Sequence, residues 1–185
     1  MKQKPTIHQT RVVATSRLFK IEALDLEFSN GVKVEYERVA STGVGAVLVV
    51  PVLRTEGQED RLLLIREYGA GTERYELGFP KGKVDLGEGL LDAANRELME
   101  EAGYESANLT FLKGLSLAPS YMGHVTSIIL AEDLKVRREE GDEPEELEVI
   151  EWKISEIDEL LIQEDFTEGR SIAALYLVKN LLDKR

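Results

Sequence analysis

The chain contains no cysteine and only two histidines, His8 and His124. The first absence excludes disulfides, thiolate metal sites and a cysteine nucleophile, and it agrees with a reducing compartment. So few histidines make a His-rich zinc site unexpected. Positive charge is also outnumbered: 23 Lys plus Arg stand against 35 Asp plus Glu, a formal net charge of −12. That balance argues against non-specific binding to nucleic acid or to anionic membranes. The longest apolar run, Val44 to Leu53, is broken by Gly45 and Pro51 and is too short to span a bilayer. Met1 to Thr10 is polar and lacks the apolar segment of a signal peptide. A soluble, cytoplasmic protein is the expectation. If its ligand is an anion, something in the site must offset the chain's own charge.

What is present belongs to a folded, globular chain. Its 185 residues, 43% hydrophobic and 31% charged, suit one main domain with a small appendage. Residues 1–42 read as an antiparallel β-meander. Arg11 to Val13, Leu18 to Glu22, Leu24 to Phe28 and Val32 to Val39 carry alternating or β-branched patterns. Ser29-Asn30-Gly31 is a tight-turn signal between the last two. Residues 43–185 form the main domain. Ala46 to Val52 and Leu62 to Ile65 are aliphatic runs expected of strands covered on both faces. A glycine-rich stretch, Gly78 to Gly89, leads into a helix over Leu90 to Ala102. Strands follow at Leu109 to Leu117, Val125 to Ala131 and Leu147 to Ile154, and helices at Ser155 to Gln163 and Gly169 to Leu182. The pattern predicts an α/β sandwich around a mixed sheet, with Trp152 and Phe166 in the core.

The chemistry concentrates between Gly82 and Tyr104. Leu91, Ala94, Leu98 and Ala102 make an apolar stripe on the helix, and Glu97, Glu100 and Glu101 crowd an adjoining face. Like charges so placed cost on the order of a few tenths of a kcal/mol per pair. Arg96 offsets part of this through Glu100, four residues on. Taken alone, the cluster reads either as a solvated surface or as a set of hard oxygen ligands for Mg²⁺ or Mn²⁺. Gly82, Gly87 and Gly89 let the backbone turn sharply before the helix, and Gly103 sits where a helix-ending glycine belongs.

The spacing decides between these. Gly82, Glu88, Arg96, Glu97, Leu98, Glu100, Glu101, Gly103 and Tyr104 match the Nudix box in full, with an aromatic Tyr104 where an aliphatic residue is usual. A chance match along such a chain is expected about once in 10⁵ sequences from residue frequencies. The chain therefore resembles the Nudix hydrolase superfamily. Its N-terminal meander resembles that of the ADP-ribose pyrophosphatase branch. The runs FSNGV, YER, LIREY, YELGF, KGKVDLGE, AANRELMEE, APSY and GDEPE are similar to those of bacterial hydrolases of ADP compounds.

This resemblance implies a Nudix fold and a hydrolase that cleaves the pyrophosphate of ADP-ribose, NADH or diadenosine polyphosphates by metal-activated water. The alternatives are a nucleoside triphosphate pyrophosphatase or a non-catalytic module sensing ADP-ribose or NAD. Mg²⁺ is the implied cofactor, with Mn²⁺ possible. Glu97 and Glu101 are the implied direct ligands, Glu100 a ligand or a holder of metal-bound water, and the Lys81 carbonyl a further candidate. Arg96 would orient the glutamates, with Glu88 pairing to it or to the loop. The general base is expected in the acidic loop Glu139 to Glu148, with Glu143 and Glu145 as candidates. Among substrate contacts, Arg66 would hold a phosphate. Arg38, with Glu37 before it, would reach the adenine or diphosphate, and Glu76 the ribose hydroxyls. Ser120 and Tyr121 would cover the second half of the substrate. A homodimer built through the N-terminal strands is the expected assembly, with no nucleic-acid or membrane partner.

Overall fold

The computed structural model describes residues 2–41 and 45–184. The expected domain boundary at 42/43 lies outside them. The chain divides into two compact units, Met1–Gly43 with Ser116–Val125, and Val44–Leu115 with Thr126–Arg185.

The first unit is a three-stranded antiparallel sheet of β1 (Thr6–Thr15), β2 (Lys20–Glu27) and β3 (Lys33–Val39), with β2 in the middle. The two strands expected at Leu18 to Glu22 and Leu24 to Phe28 are one, β2, because Ala23, Leu24 and Leu26 are all buried along it. The predicted turn closes β2 onto β3. Gly31 takes φ 80°, and the Asn30 side chain accepts from the Val32 amide at 3.1 Å. Ser116–Val125 joins this unit through the Val39 amide, which donates to the Tyr121 carbonyl at 2.8 Å.

The second unit is built on a seven-stranded mixed sheet in the order β10-β5-β4-β9-β8, with β6 added on β5 and β7 on β4. These strands are β4 (Ala46–Leu53), β5 (Arg61–Gly69), β6 (Arg74–Gly78), β7 (Lys81–Lys83), β8 (Tyr104–Ser116), β9 (Val125–Val136) and β10 (Glu148–Lys153). β4 and β9 run parallel, while β4–β5, β5–β10, β5–β6 and β4–β7 are antiparallel. As its aliphatic run predicts, β4 is buried at every residue but the last, being covered on both faces.

One face packs Val47, Val49 and Ile65 against Ala93, Ala94 and Leu98 of the helix α1 (Leu90–Glu97) and its continuation. The other packs Leu48, Val50, Leu64 and Phe79 against Phe166 and against Ala174, Leu175 and Val178 of α3 (Gly169–Leu182). This is the α/β sandwich with a mixed sheet that the sequence predicts.

Several details differ from expectation. β6 and β7 fall inside or beside the stretch read as a glycine-rich connection. Their lengths of five and three residues leave no alternation to detect. The helix expected at Ser155 to Gln163 is a 3₁₀ turn, Ile154–Glu156, followed by a single turn, α2 (Ile157–Leu160). Trp152 is half-buried against the core rather than inside it, its indole N–H donating to the Glu156 carbonyl at 2.7 Å. Leu91 is exposed and leaves the helix stripe.

Candidate active site

The loop before α1 and the helix itself are tied together by one arginine. Arg96 donates through Nε to Glu88 Oε1 (2.9 Å) and through Nη2 to Glu88 Oε2 (3.1 Å) and the Lys83 carbonyl (2.9 Å). Its Nη1 reaches Glu97 (2.7 Å) and Glu100 (3.0 Å). Glu88 in turn accepts from the Asp85 amide at 2.9 Å, which closes the box loop on itself. With this guanidinium beside it, the Glu88 carboxyl is held below its usual range. Arg96 spends its donors within the box and clamps its geometry.

After Glu97 the helix does not continue as α. Leu98–Ala102 is a π-turn, and the Gly103 amide bonds the Leu98 carbonyl before the chain leaves through a left-handed Gly103 (φ 78°). Such turns often mark functional sites. Here the residues around it put two carboxylates on the inner side, Glu97 at 8% exposure and Glu101 at 5%. A solvated acidic face would do the opposite. Burying an ionised carboxylate costs several kcal/mol unless it is compensated.

The compensation is incomplete. Glu101 accepts the Lys81 amide at 2.8 Å. Burial pushes its carboxyl up to about 8; the Lys81 charge and amide oppose this, and the charges of Glu97 and Glu67 add to it. Burial raises Glu97 too, against the pull of Arg96 and with the push of Glu100 and Asp142.

Gly82 explains why the box begins with glycine. A Cβ there would lie 2.1 Å from the Glu97 carboxyl carbon and from one of its oxygens. The carboxylate rests directly on the glycine backbone. Gly82→Ala is therefore expected to displace Glu97 and to weaken divalent-cation affinity by about tenfold or more, as loss of a group that holds a ligand in place does. Titration calorimetry with Mg²⁺ checks this, and unchanged affinity contradicts it.

Glu97, Glu100 and Glu101 line a cleft of about 660 Å³ together with Asp142 and Glu143 of the acidic loop. Among the described residues, no three carboxylates already converge as a closed metal cage. Two of the three box glutamates are turned to Arg96 and the third to the Lys81 amide. The donor set still fits a hard divalent cation: oxygen ligands only, two of them buried and under-neutralised, and one seated where a Cβ is excluded.

The two candidate bases differ. Glu143, exposed overall, lines this cleft, and its carboxyl is raised by partial burial and by the charges of Glu67 and Asp142. Glu145 accepts a 2.6 Å bond from the Tyr75 hydroxyl and lines only the adjoining cleft of about 420 Å³.

Other candidates lie elsewhere. Arg66 is engaged by Asp165 (3.1 Å) and Glu148 (2.5 Å), so its present partners are protein carboxylates. Glu76 accepts from Arg74 (2.8 Å) and Thr167 (2.9 Å) at the rim of a separate cavity of about 310 Å³. Lys81 borders both that cavity and the glutamate cleft, its ammonium paired with Glu67. Arg38, Glu37, Ser120 and Tyr121 belong to the first unit. There Arg38 pairs with Glu22 at 3.0 Å and lines a cleft of about 590 Å³ with Phe19 and Lys20. Glu37, Ser120 and Tyr121 are exposed.

Sequence reasoning missed Glu67 and Asp142. Glu67 is one acid at the end of a strand, and only the fold brings it to Lys81. Asp142 is indistinguishable by pattern from its acidic neighbours.

A mixed-sheet sandwich carrying this box defines a Nudix hydrolase. The family model for the NUDIX domain matches residues 44–175, and the chain belongs to that family; it is a pyrophosphohydrolase. A second model, the NudE-type Nudix hydrolase N-terminal domain, matches residues 5–38. Over 180 residues the chain is 51% identical to ADP compounds hydrolase NudE of Escherichia coli (strain K12), covering 97% of this chain and 94% of that protein. It is 28% identical to an ADP-ribose pyrophosphatase of Bacillus subtilis (strain 168), covering 90% of this chain and 91% of that one. A crystal structure of ADP compounds hydrolase superposes with a TM-score of 0.93 at 49% identity, covering 100% of this chain and 97% of that one. No helix among the described residues is long and apolar enough to cross a membrane.

Proposed function

We propose that this chain is a cytoplasmic, Mg²⁺-dependent hydrolase of ADP-containing pyrophosphates, releasing AMP and the other phosphorylated half. The observation that carries this is the pair of buried, under-neutralised carboxylates, Glu97 and Glu101, inside a complete Nudix box. The similarity to hydrolases of ADP compounds supports the nucleotide.

Glu97 and Glu101 would hold the divalent ion, with Glu100 and the Lys81 carbonyl as further ligands. When bound, such an ion offsets the substrate's negative charge and lowers the pKa of water. Arg96 keeps Glu97 and Glu100 oriented. Glu143 is the favoured acceptor of the water's proton, since its raised carboxyl faces the cleft; Glu145 is the second candidate. Arg38 and Glu37 would contact the adenine or diphosphate. Arg66 would hold a phosphate after exchanging a carboxylate partner, Glu76 the ribose hydroxyls, and Ser120 and Tyr121 the remaining half. A panel of ADP-ribose, NADH, diadenosine polyphosphates and nucleoside triphosphates tests this. AMP from the first three is the expected result, and turnover of triphosphates alone overturns it.

Ion binding should depend on pH. The folded Glu101 carboxyl is raised to about 8 from an ordinary value of 4.5. Its ionised form is thus the destabilised one, and the metal-free protein loses stability as pH rises through that interval. At pH 7 a divalent ion must displace its proton. Calorimetry in two buffers of different ionisation heat should report release of close to one proton per Mg²⁺ at pH 7, fading by about pH 9. No release at pH 7 would contradict this.

A homodimer through the N-terminal sheet completes the proposal. β1 is an edge strand of ten residues, exposed at all but one, with Ile7, Val12 and Val13 about half exposed. Light scattering should give twice the monomer mass, and a monomer mass refutes the dimer.

A further inference from the structure

The acidic loop is seated on the π-turn in a way that the box motif does not predict. In an α-helix the Gly103 amide would bond the Met99 carbonyl, four residues back. Here it bonds the Leu98 carbonyl instead. The Met99 carbonyl accepts the Glu139 amide at 3.3 Å. Two residues earlier the Arg137 amide donates to the Gly103 carbonyl at 3.0 Å. The start of the loop is thus pinned to the turn that carries Glu100 and Glu101.

Beyond these two bonds the loop approaches the turn at Gly141. A Cβ on Gly141 would lie 3.3 Å from the Glu100 Cβ and 3.9 Å from its Cγ. The Glu100 Cβ is fixed to the helix backbone and has little room to give. Gly141 is not among the glycines with positive φ, so conformation does not demand glycine there. Contact does. Two residues on, Glu143 enters the cleft that Glu97, Glu100 and Glu101 line.

We propose that Gly141 is a positioning residue. Its missing side chain lets the acidic loop lie against Glu100, and together with the Glu139–Met99 bond this sets how far Glu143 reaches into the cleft. The inference rests on Glu143 being the proton acceptor proposed above. A side chain at 141 presses on Glu100 only at its Cβ and Cγ, and it has no contact with Glu97 or Glu101, the proposed direct ligands. The loss therefore falls on kcat far more than on metal affinity, since small misplacements of a catalytic group are expensive.

The experiment uses the full-length protein with ADP-ribose and Mg²⁺. Gly141→Val is expected to lower kcat by about tenfold or more, with KM within about threefold and Mg²⁺ affinity within about twofold. Hydrogen exchange of the Glu139 amide should accelerate by about tenfold. Gly141→Ala should show a smaller effect of the same kind. Glu139→Pro removes the donated amide and should also lower kcat, whereas Glu139→Ala keeps the amide and should not. The proline variant keeps the test open if the valine variant does not fold.

Wild-type kcat and wild-type Glu139 exchange in Gly141→Val overturn the proposal. So does an equal loss of Mg²⁺ affinity, which would mean that the helix and not the loop had moved. Glu143→Gln separates the two claims. If it retains full kcat/KM, the proton-acceptor assignment fails, while Glu139 exchange in Gly141→Val still decides whether the loop is seated by that contact.

Discussion

Replacing Glu101 with glutamine should lower kcat by about a thousandfold or more at saturating Mg²⁺ while leaving the protein folded. Glutamine keeps the shape of the side chain and an oxygen for the Lys81 amide, which now donates to Glu101 at 2.8 Å. It removes the charge, and with it an anionic ligand of the proposed ion. The stability side of the prediction is as informative. Burial raises the Glu101 carboxyl to about 8, so ionisation of this group works against folding. The neutral variant should therefore melt at the same temperature as the metal-free wild type or higher, most visibly above pH 8. Inactivity with equal or greater stability is the signature of a group kept for function at a cost to the fold. A variant that is active at saturating Mg²⁺ would sink the ligand assignment. One that is inactive and markedly less stable would point to a structural role.

Replacing Arg96 with methionine should have the opposite balance. Its guanidinium is about a quarter exposed and pairs with Glu88, Glu97 and Glu100 while bonding the Lys83 carbonyl. Methionine fills the stem but leaves three carboxylates facing one another without a cation. Breaking a partly buried ion network of this kind costs about 3 kcal/mol. In a chain of this length that corresponds to a fall of roughly 10 °C in Tm. Activity should fall as well, because Glu97 and Glu100 lose the group that orients them. Arg96→Lys should recover little, since a point charge cannot reach four partners in a planar fork. Thermal melts with and without Mg²⁺ check this. Mg²⁺ should restore part of the lost stability by supplying the missing positive charge. An unchanged Tm would show that the clamp carries no stability.

The two variants separate what was legible in the sequence from what was not. The box spacing picks out Gly82, Glu88, Arg96, Glu97, Glu100 and Glu101, and the structure brings these residues together. The aliphatic runs locate β4 and β5, and the Asn30-Gly31 turn locates the β2–β3 hairpin. The sheet's two faces could be inferred from continuous apolar strands. The inward burial of Glu97 and Glu101 could not be. Helical periodicity at 3.6 residues puts the three glutamates on one polar face, and a π-turn breaks that periodicity just where they lie. The strands β6 and β7 are too short to show a pattern, and Lys81 meets Glu67 only because β7 and β6 are added to neighbouring strands of the sheet. The role of glycine at 82 is clear only from the carboxylate resting on it. At 141 the proposed role rests on the approach of Glu100, which the sequence does not show.

The acid excess of the sequence has two parts. Many acids are exposed and serve charge and solubility. Glu97 and Glu101 are buried at a cost, and the proposal gives that cost a purpose. The most direct test is AMP release from ADP-ribose by EDTA-treated protein, followed before and after Mg²⁺ is restored. The account predicts no AMP above background without the ion, and formation of AMP and ribose phosphate once it is added. The same rate of AMP formation in EDTA and in Mg²⁺ would contradict it.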